Sequence, residues 1–316
     1  MNDIEVSILC ITYNHEEYIK KALDGFVSQK TNFNYEVLIN DDASTDSTAC
    51  IIKEYEKKYP KLIRGIYQSE NKQSKGISII RDILIPKARG KYIAICEGDD
   101  YWTDETKIQK QYDIMEAHPE INICAHATEI ISSKSGKSLG KIIPRSESCI
   151  ISVNDVIKGG GGFVATSSLF YRKKIETEKH DFFNNYRIDY FLQVCGSLNN
   201  GMYYIDRCMS VYRWMSKGSW TSTVELDPQK RILSLKKTIE SLNLLNEETC
   251  KIYDEVIQIA IREREFAILV FERNIKKILK PPYREIYEKK SISEKIKIQF
   301  KCRVPFAYTI RRLIKR

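Results

Sequence analysis

The sequence predicts an α/β fold: a mostly parallel central sheet with helices on both faces, followed by a helical C-terminal extension. Three observations lead there. Short apolar runs alternate with segments of helical period as far as Pro119. Polar clusters stand directly after those runs, where an open parallel sheet places its ligand crevice. After Trp220 no strand-like segment appears, and Pro228 to Leu279 is rich in helix formers.

Val6 to Ile11 reads as a buried strand. His15 to Lys30 has helical period, with Tyr18, Ile19, Ala22, Leu23, Phe26 and Val27 on one face. Tyr35 to Ile39 is a second strand, Ser47 to Lys58 a second helix, and Leu62 to Tyr67 a third strand. Ser78 to Ala88 reads as a helix broken at Pro86. Tyr92 to Cys96 is a fourth strand, and a helix from about Glu105 to Ala117 ends before Pro119. Ile121 to Ile131 is another strand, and Ser132 to Ser148 looks loop-like. Gly159 to Gly162 forms either a close backbone approach to a ligand or a flexible turn. Asp227-Pro228 caps a helix, and Ile252, Val256, Ile259, Phe266 and Val270 form a core-facing stripe. The expected boundary lies near 222, giving units 1–222 and 223–316.

A chain of 316 residues, 42% apolar and 29% charged, suits a large α/β domain with an appendage. Nine cysteines with no CxxC pair favour a reducing compartment over a disulfide scaffold. The opening segment lacks the layout of a signal peptide, and no apolar stretch has the length of a spanning helix, so a cytosolic location is expected. His15, His118, His126 and His180 show no ligand spacing, which argues against a histidine metal site.

Chemistry concentrates at Glu97-Gly98-Asp99-Asp100-Tyr101-Trp102, just past the Tyr92–Cys96 run. Three carboxylates at the end of a buried strand repel one another and are costly to desolvate. A shared divalent cation, Mg²⁺ or Mn²⁺, resolves both, and such ions take a few carboxylates plus substrate phosphates. Asp104 would cap the next helix. Thr12-Tyr13-Asn14 and Asp41-Asp42 fall at neighbouring strand ends, so the three clusters share one location.

These residues resemble the family-two inverting glycosyltransferases of GT-A (Rossmann-like) fold, of the kind that builds bacterial cell-surface polysaccharide. The resemblance covers roughly residues 4–220. It rests on Ile11 to Asn14, Leu38 to Asp46, and Gly90 to Trp102, in order at successive strand ends. It implies transfer of a sugar from a nucleoside-diphosphate donor, a UDP-sugar, to a hydroxyl of a glycan or lipid-linked acceptor. Tyr13 would stack on the base beside Thr12 and Asn14, and Asp42 would accept from the base. Glu97 stands where the family has its first aspartate, near the ribose. Asp99 would coordinate the metal and Asp100 would support it. Arg81 would face the diphosphate or be a surface residue. Asp189, in Tyr186 to Phe191, matches the catalytic base, with a helix cap as its other reading and Asp181 as runner-up.

Val211 to Trp220 resembles the loop closing over the diphosphate. Many relatives carry histidine where Met215 stands, and methionine is a poor ligand for a hard ion. Arg213 or Lys217 would meet the diphosphate instead, Gly159 to Phe163 and Thr166 to Ser168 would line the acceptor side, and Trp214 or Trp220 would stack on a sugar or be buried. A catalytically weakened glycan- or partner-binding module is the alternative, supported by Met215 and Glu97. A sugar nucleotidyltransferase would need a glycine-rich loop where Thr12 to Glu16 has no glycine.

The net charge is +9, and residues 291–316 hold eight basic side chains and one acid, leaving +2 elsewhere. Ile296, Phe300 and Val304 recur every four residues there, and Phe306, Ile310, Leu313 and Ile314 follow Pro305. This tail suits either an anionic membrane surface at the inner face of the cell membrane or docking on the body. The rest of the chain has no basic stripe, so no nucleic-acid partner is expected.

Overall fold

The first apolar runs build the parallel half of one sheet. The computed structural model describes residues 3–186, 188–219, 221–225 and 227–303. In order come β1 (Ile4–Thr12), α1 (Ile19–Val27), β2 (Asn34–Asp41), α2 (Thr48–Lys58), β3 (Ile63–Tyr67) and β4 (Tyr92–Ile95). β1 pairs in parallel with both β2 and β4, and β2 with β3. β1 is buried on both sides, so Val6 to Cys10 show no alternation of polarity. Val6, Ile8 and Cys10 face Ile19, Leu23 and Phe26 of α1 and Ile52 of α2.

Then follow β5 (Tyr101–Trp102), α3 (Lys107–Ala117), β6 (Ile123–Ser132), β7 (Ser138–Ile142), β8 (Cys149–Ile151), α4 (Val153–Gly159) and β9 (Phe170–Arg172). After them come α5 (Asp181–Asn185), α6 (Asp189–Ser197) and β10 (Met202–Trp214). The sheet runs β3-β2-β1-β4-β9-β6-β10-β5, with β7 on β6 and β8 on β10. β9 enters antiparallel to both β4 and β6, while β10 is parallel to β6. The fold is therefore α/β with a parallel first half and a mixed second half. Alternation along β6 covers both faces: Cys124 joins the cluster containing Ile108 and Met115 of α3, and Ile123 abuts Gly196 of α6.

Several expectations change in detail. The first helix is shorter than His15 to Lys30, because the His15 carbonyl accepts from Tyr18 and Ile19 N–H and starts it late. The broken helix is a π-helix, Ile79–Leu84, followed by a 3-10 turn, Ile85–Lys87, at Pro86. Ser132 to Ser148 is not all loop: it carries β7, whose exposed and polar residues hide a hairpin edge strand. Residues Val211 to Trp214 belong to β10, and the chain turns only at Met215, with φ 64°. The stripe through Ile252 is interrupted, since Cys250 and Lys251 adopt positive φ and Ile252 is 75% exposed. All nine cysteines are unpaired.

Two compact units are present among the described residues: one up to 180 with 188–223, the other 181–186 with 224–303. The second consists of α5, α7 (Pro228–Glu248), α8 (Asp254–Phe271), α9 (Ile275–Ile278), α10 (Tyr283–Glu288) and α11 (Ile292–Arg303). Asp227 caps α7 by accepting from Gln229 and Lys230 N–H. α5 lies along α7 through Phe182 N–H to Glu248, Asn185 to Ser241 and Tyr186 to Ser234. Trp220, Val304, Phe306, Ile310, Leu313 and Ile314 lie outside the described residues.

A buried polar clamp ties the amino ends of three strands. Glu36 on β2 accepts from Ser7 Oγ of β1 (2.8 Å) and from Arg89 N–H (2.7 Å), and Gly90 N–H donates to Ser7 Oγ (2.9 Å). A Cβ on Gly90 would stand 2.4 Å from Ser7 N, so the entry to β4 admits no side chain. Glu36→Ala strands the Ser7 hydroxyl and the Arg89 N–H and is expected to lower unfolding free energy by about 2 kcal/mol. Arg89→Ala should cost less, because that side chain is 63% exposed. Urea denaturation of the two variants checks the order.

Candidate functional site

The parallel register brings the carboxyl ends of β1, β2 and β4 side by side. Thr12 pairs with Asp41, Asp42 N–H donates to the Thr12 carbonyl (2.9 Å), and Gly98 N–H donates to the Ile11 carbonyl (2.8 Å). The acidic loop after β4 thus lies flat against the end of β1. A Cβ on Gly98 would meet Thr12 Cβ and Oγ1 at 2.8 Å and His15 Nδ1 at 3.0 Å, so only glycine fits. Thr12 Oγ1 and His15 Nδ1 are buried and have no hydrogen-bond partner among the described residues.

Asp99 and Asp100 are buried and Glu97 is half-buried. Asp100 Oδ1 accepts from Arg213 N–H (2.9 Å), and Asp99 Oδ2 accepts from the Ser216 hydroxyl. The Arg213 guanidinium donates to the Asp99 carbonyl and lies over the rings of Tyr101 (4.6 Å) and Tyr18 (5.1 Å). The acidic loop is therefore fastened to the end of β10 and the turn after it. Burial pushes the Asp100 carboxyl well above its usual range, with Asp99 and Glu97 adding and Arg213 opposing. Burial, then Asp99, then Asp189 push Glu97 up to about 8.

Asp189 opens α6. Its Oδ1 accepts from Tyr190 N–H (2.8 Å) and its Oδ2 from Thr166 Oγ1 (3.1 Å). Ile188, not Asp189, holds the N-cap position. Burial raises the Asp189 carboxyl, while the Thr166 hydrogen bond lowers it in part. Gly161 borders it: a Cβ there would stand 3.6 Å from Asp189 Oδ1. Ser167, next to Thr166, accepts from Trp102 Nε1 (2.9 Å), so the turn that holds Asp189 packs on the end of the acidic segment. Asp181 is exposed at the start of α5.

The remaining expected residues are placed as follows. Both oxygens of Asp42 accept backbone N–H groups, from Lys72 (2.8 Å) and Gln73 (3.0 Å), and hold a turn beside the strand ends. Asn14, with φ 54°, accepts from Thr45 N–H (2.8 Å) and joins the loops after β1 and β2. Tyr13 is half-buried next to it. Arg81 pairs with Glu176 (3.2 Å) and donates to its carbonyl (3.1 Å). Trp220 lies outside the described residues. Thr166, expected on the acceptor side, instead holds Asp189, while Ser216 and His15 were given no role in the site from the sequence. Ser216 neighbours Met215, where histidine was sought, and no spacing marks a serine as a carboxylate partner. The Asp99 charge acts on the His15 imidazole, whose pKa burial lowers, yet the two are 84 positions apart in the chain. Glu178, His180 and Cys195 also bring ligand atoms within 4.8 Å, with Glu178 and His180 already paired at 3.5 Å.

Glu97, Asp99 and Asp100 offer only carboxylate oxygens, and without a cation two of the three are driven toward protonation. That donor set fits a hard divalent ion such as Mg²⁺ or Mn²⁺.

The family model described as Glycosyl transferase family 2 matches residues 7–178. An uncharacterized protein of Mycobacterium tuberculosis is 38% identical over 217 residues, 69% of this chain. The chain spans 61% of that relative's length. An Escherichia coli protein named UDP-Glc:alpha-D-GlcNAc-diphosphoundecaprenol beta-1,3-glucosyltransferase WfaP is 36% identical over 111 residues, 35% of this chain and 41% of its own. The structure of S. aureus TarS 1-349 with UDP covers 92% of this chain and 77% of that one, with TM-score 0.57 and 15% identity, a likeness of fold.

An acid whose folded pKa is raised binds more protons folded than unfolded, so its contribution to stability is lost as pH rises through the folded value. For Glu97 that window runs from 4.5 to about 8. The metal-free protein should lose melting temperature across it more steeply than Glu97→Gln does. Mn²⁺ should raise the melting temperature most at the alkaline end. Scanning fluorimetry from pH 5 to 8.5 with and without Mn²⁺ checks both.

Proposed function

The chain belongs to glycosyl transferase family 2, and on that premise we propose that it transfers a sugar, with inversion, from a UDP-sugar to a hydroxyl of a glycan or lipid-linked glycan in cell-surface polysaccharide synthesis. The observation that carries this reading is the turn that joins Asp189 to the acidic segment: Thr166 and Tyr190 N–H fix a half-buried carboxylate, and Trp102 at the end of the Glu97–Trp102 segment donates to Ser167, the residue after Thr166. The printed names of WfaP and of the TarS complex support a uridine donor, and that of WfaP supports an acceptor on a lipid diphosphate.

Inverting transfer is one in-line displacement, and the attacking hydroxyl must lose its proton as it forms the new bond. Asp189 takes that proton. Thr166 and Tyr190 N–H fix its two oxygens, and its raised pKa makes it a better base than an exposed aspartate. Asp99 would hold a divalent cation, with Ser216 orienting its carboxylate. The bound cation supplies charge that offsets the departing nucleoside diphosphate. Asp100 and Arg213 keep the loop in place from behind. Glu97 lies toward the ribose. Tyr13 receives the base, with Thr12 buried beside it, while Asp42 and Asn14 shape the loops around it. Arg81 is held by Glu176 and is assigned no donor contact.

Asp189→Asn should leave UDP affinity within about twofold and cut turnover by at least about 100-fold. Calorimetry and UDP release by wild type and variant measure the two. Background turnover in both, with every UDP- and GDP-sugar tried, would favour a binding module. NMR of the first product should show the anomeric configuration opposite to the donor's, and retention would overturn the single-displacement reading. Asp99→Ala should abolish Mn²⁺-dependent tightening of UDP binding.

A further inference from the structure

We propose that α11 is a docking face for an anionic lipid surface, independently of the activity proposed above. This helix has two apolar sides. On one, Ile298 is buried among Phe266, Leu269, Ile278 and Tyr283, which anchors the helix to its own unit. On the other, Ile292, Ile296 and Phe300 are 78%, 61% and 54% exposed. At about 100° per residue these three fall within one stripe, nearly half a turn from Ile298. A shallow groove of about 440 Å³ runs beside them, with Tyr287 in its lining and Lys295 and Arg303 among its charged residues.

Two large aliphatic residues and a phenylalanine on one helix face are more than scattered surface apolarity. What covers them is argued from charge. α11 holds Lys295, Lys297, Lys301 and Arg303 against Glu294, a net +3. Lys295 and Lys297 fall on either side of the stripe, where snorkelling cations sit when an apolar face enters a headgroup layer. The sequence after 303 adds Arg311, Arg312, Lys315 and Arg316 with no acid. A second copy of this face would bring like charges together, which disfavours self-association. Anionic phospholipid answers both the stripe and the cations. Among the described residues no helix is long and apolar enough to cross a membrane, so the contact is with a surface.

The test is flotation of the full chain with vesicles of phosphatidylcholine alone or mixed equally with phosphatidylglycerol. The chain should float with the mixed vesicles and not with the neutral ones, and rising salt should weaken binding. I292S/I296S/F300S should lower the bound fraction at least about tenfold. K295E/K297E should do the same by charge. All five side chains are solvent-accessible, and circular dichroism and melting temperature should stay at wild-type values. Failure of the wild type to float with anionic vesicles, or equal flotation of the triple variant, overturns the proposal. So does a concentration-dependent dimer that the triple change abolishes while vesicle binding is absent. None of these readouts depends on sugar transfer, so this proposal and the activity can fail separately.

Discussion

The desolvated carboxylates at the end of β4 are the constraint on which the rest depends. Burying Glu97, Asp99 and Asp100 together is unfavourable, and the fold concentrates supporting contacts there. Gly98 lets the loop lie against Thr12 and His15. Ser216 and Arg213 fasten it from β10 and the turn beyond. The parallel pairing of β1 with β2 and β4 sets the loop beside the turns carrying Asn14 and Asp42. A protein gains nothing in stability from such an arrangement, so its retention points to a ligand that brings positive charge.

The second half of the sheet supplies what the parallel half lacks. β9 runs antiparallel between β4 and β6 and follows the turn that carries Thr166, which holds Asp189. β10 continues into the turn holding Ser216. Thus the two residues that orient the proposed base and the proposed metal ligand both come from segments flanking the mixed strands. The parallel strands fix where the nucleotide side of the site lies, and the mixed strands fix what faces it.

Much of this was legible in the sequence. Val6 to Cys10, Tyr35 to Ile39 and Tyr92 to Cys96 are dominated by apolar residues because both faces of those strands are covered, with only Ser7 and Glu36 interrupting them, and their polar ends mark the crevice. The edge strand β7 was not legible, since Ser138 to Ile142 is mostly exposed and its pairing with β6 leaves no apolar pattern. The break between α7 and α8 was hidden because positive φ at Cys250 and Lys251 has no glycine to announce it. Within the site, carboxylates could be found by their clustering after a strand. Ser216 and His15 could not, and Thr166 was placed beside the acceptor without its bond to Asp189, because these contacts join segments far apart in the chain. Met215 drew attention as a departure from a pattern, while its neighbour makes the contact. Ile296 and Phe300 were visible as a stripe. That Ile298 is the anchoring residue, leaving the stripe exposed, required the packing of α11.

The most direct measurement is a crystal structure of the chain with Mn²⁺ and a non-transferable UDP-sugar analogue. The account predicts anomalous density for the ion on Asp99 and the diphosphate. It further predicts the uracil ring beside Tyr13 and the Asp189 carboxylate facing the anomeric carbon on the side away from the phosphate. An ion bound away from Asp99, or a sugar whose open face is turned from Asp189, would contradict it.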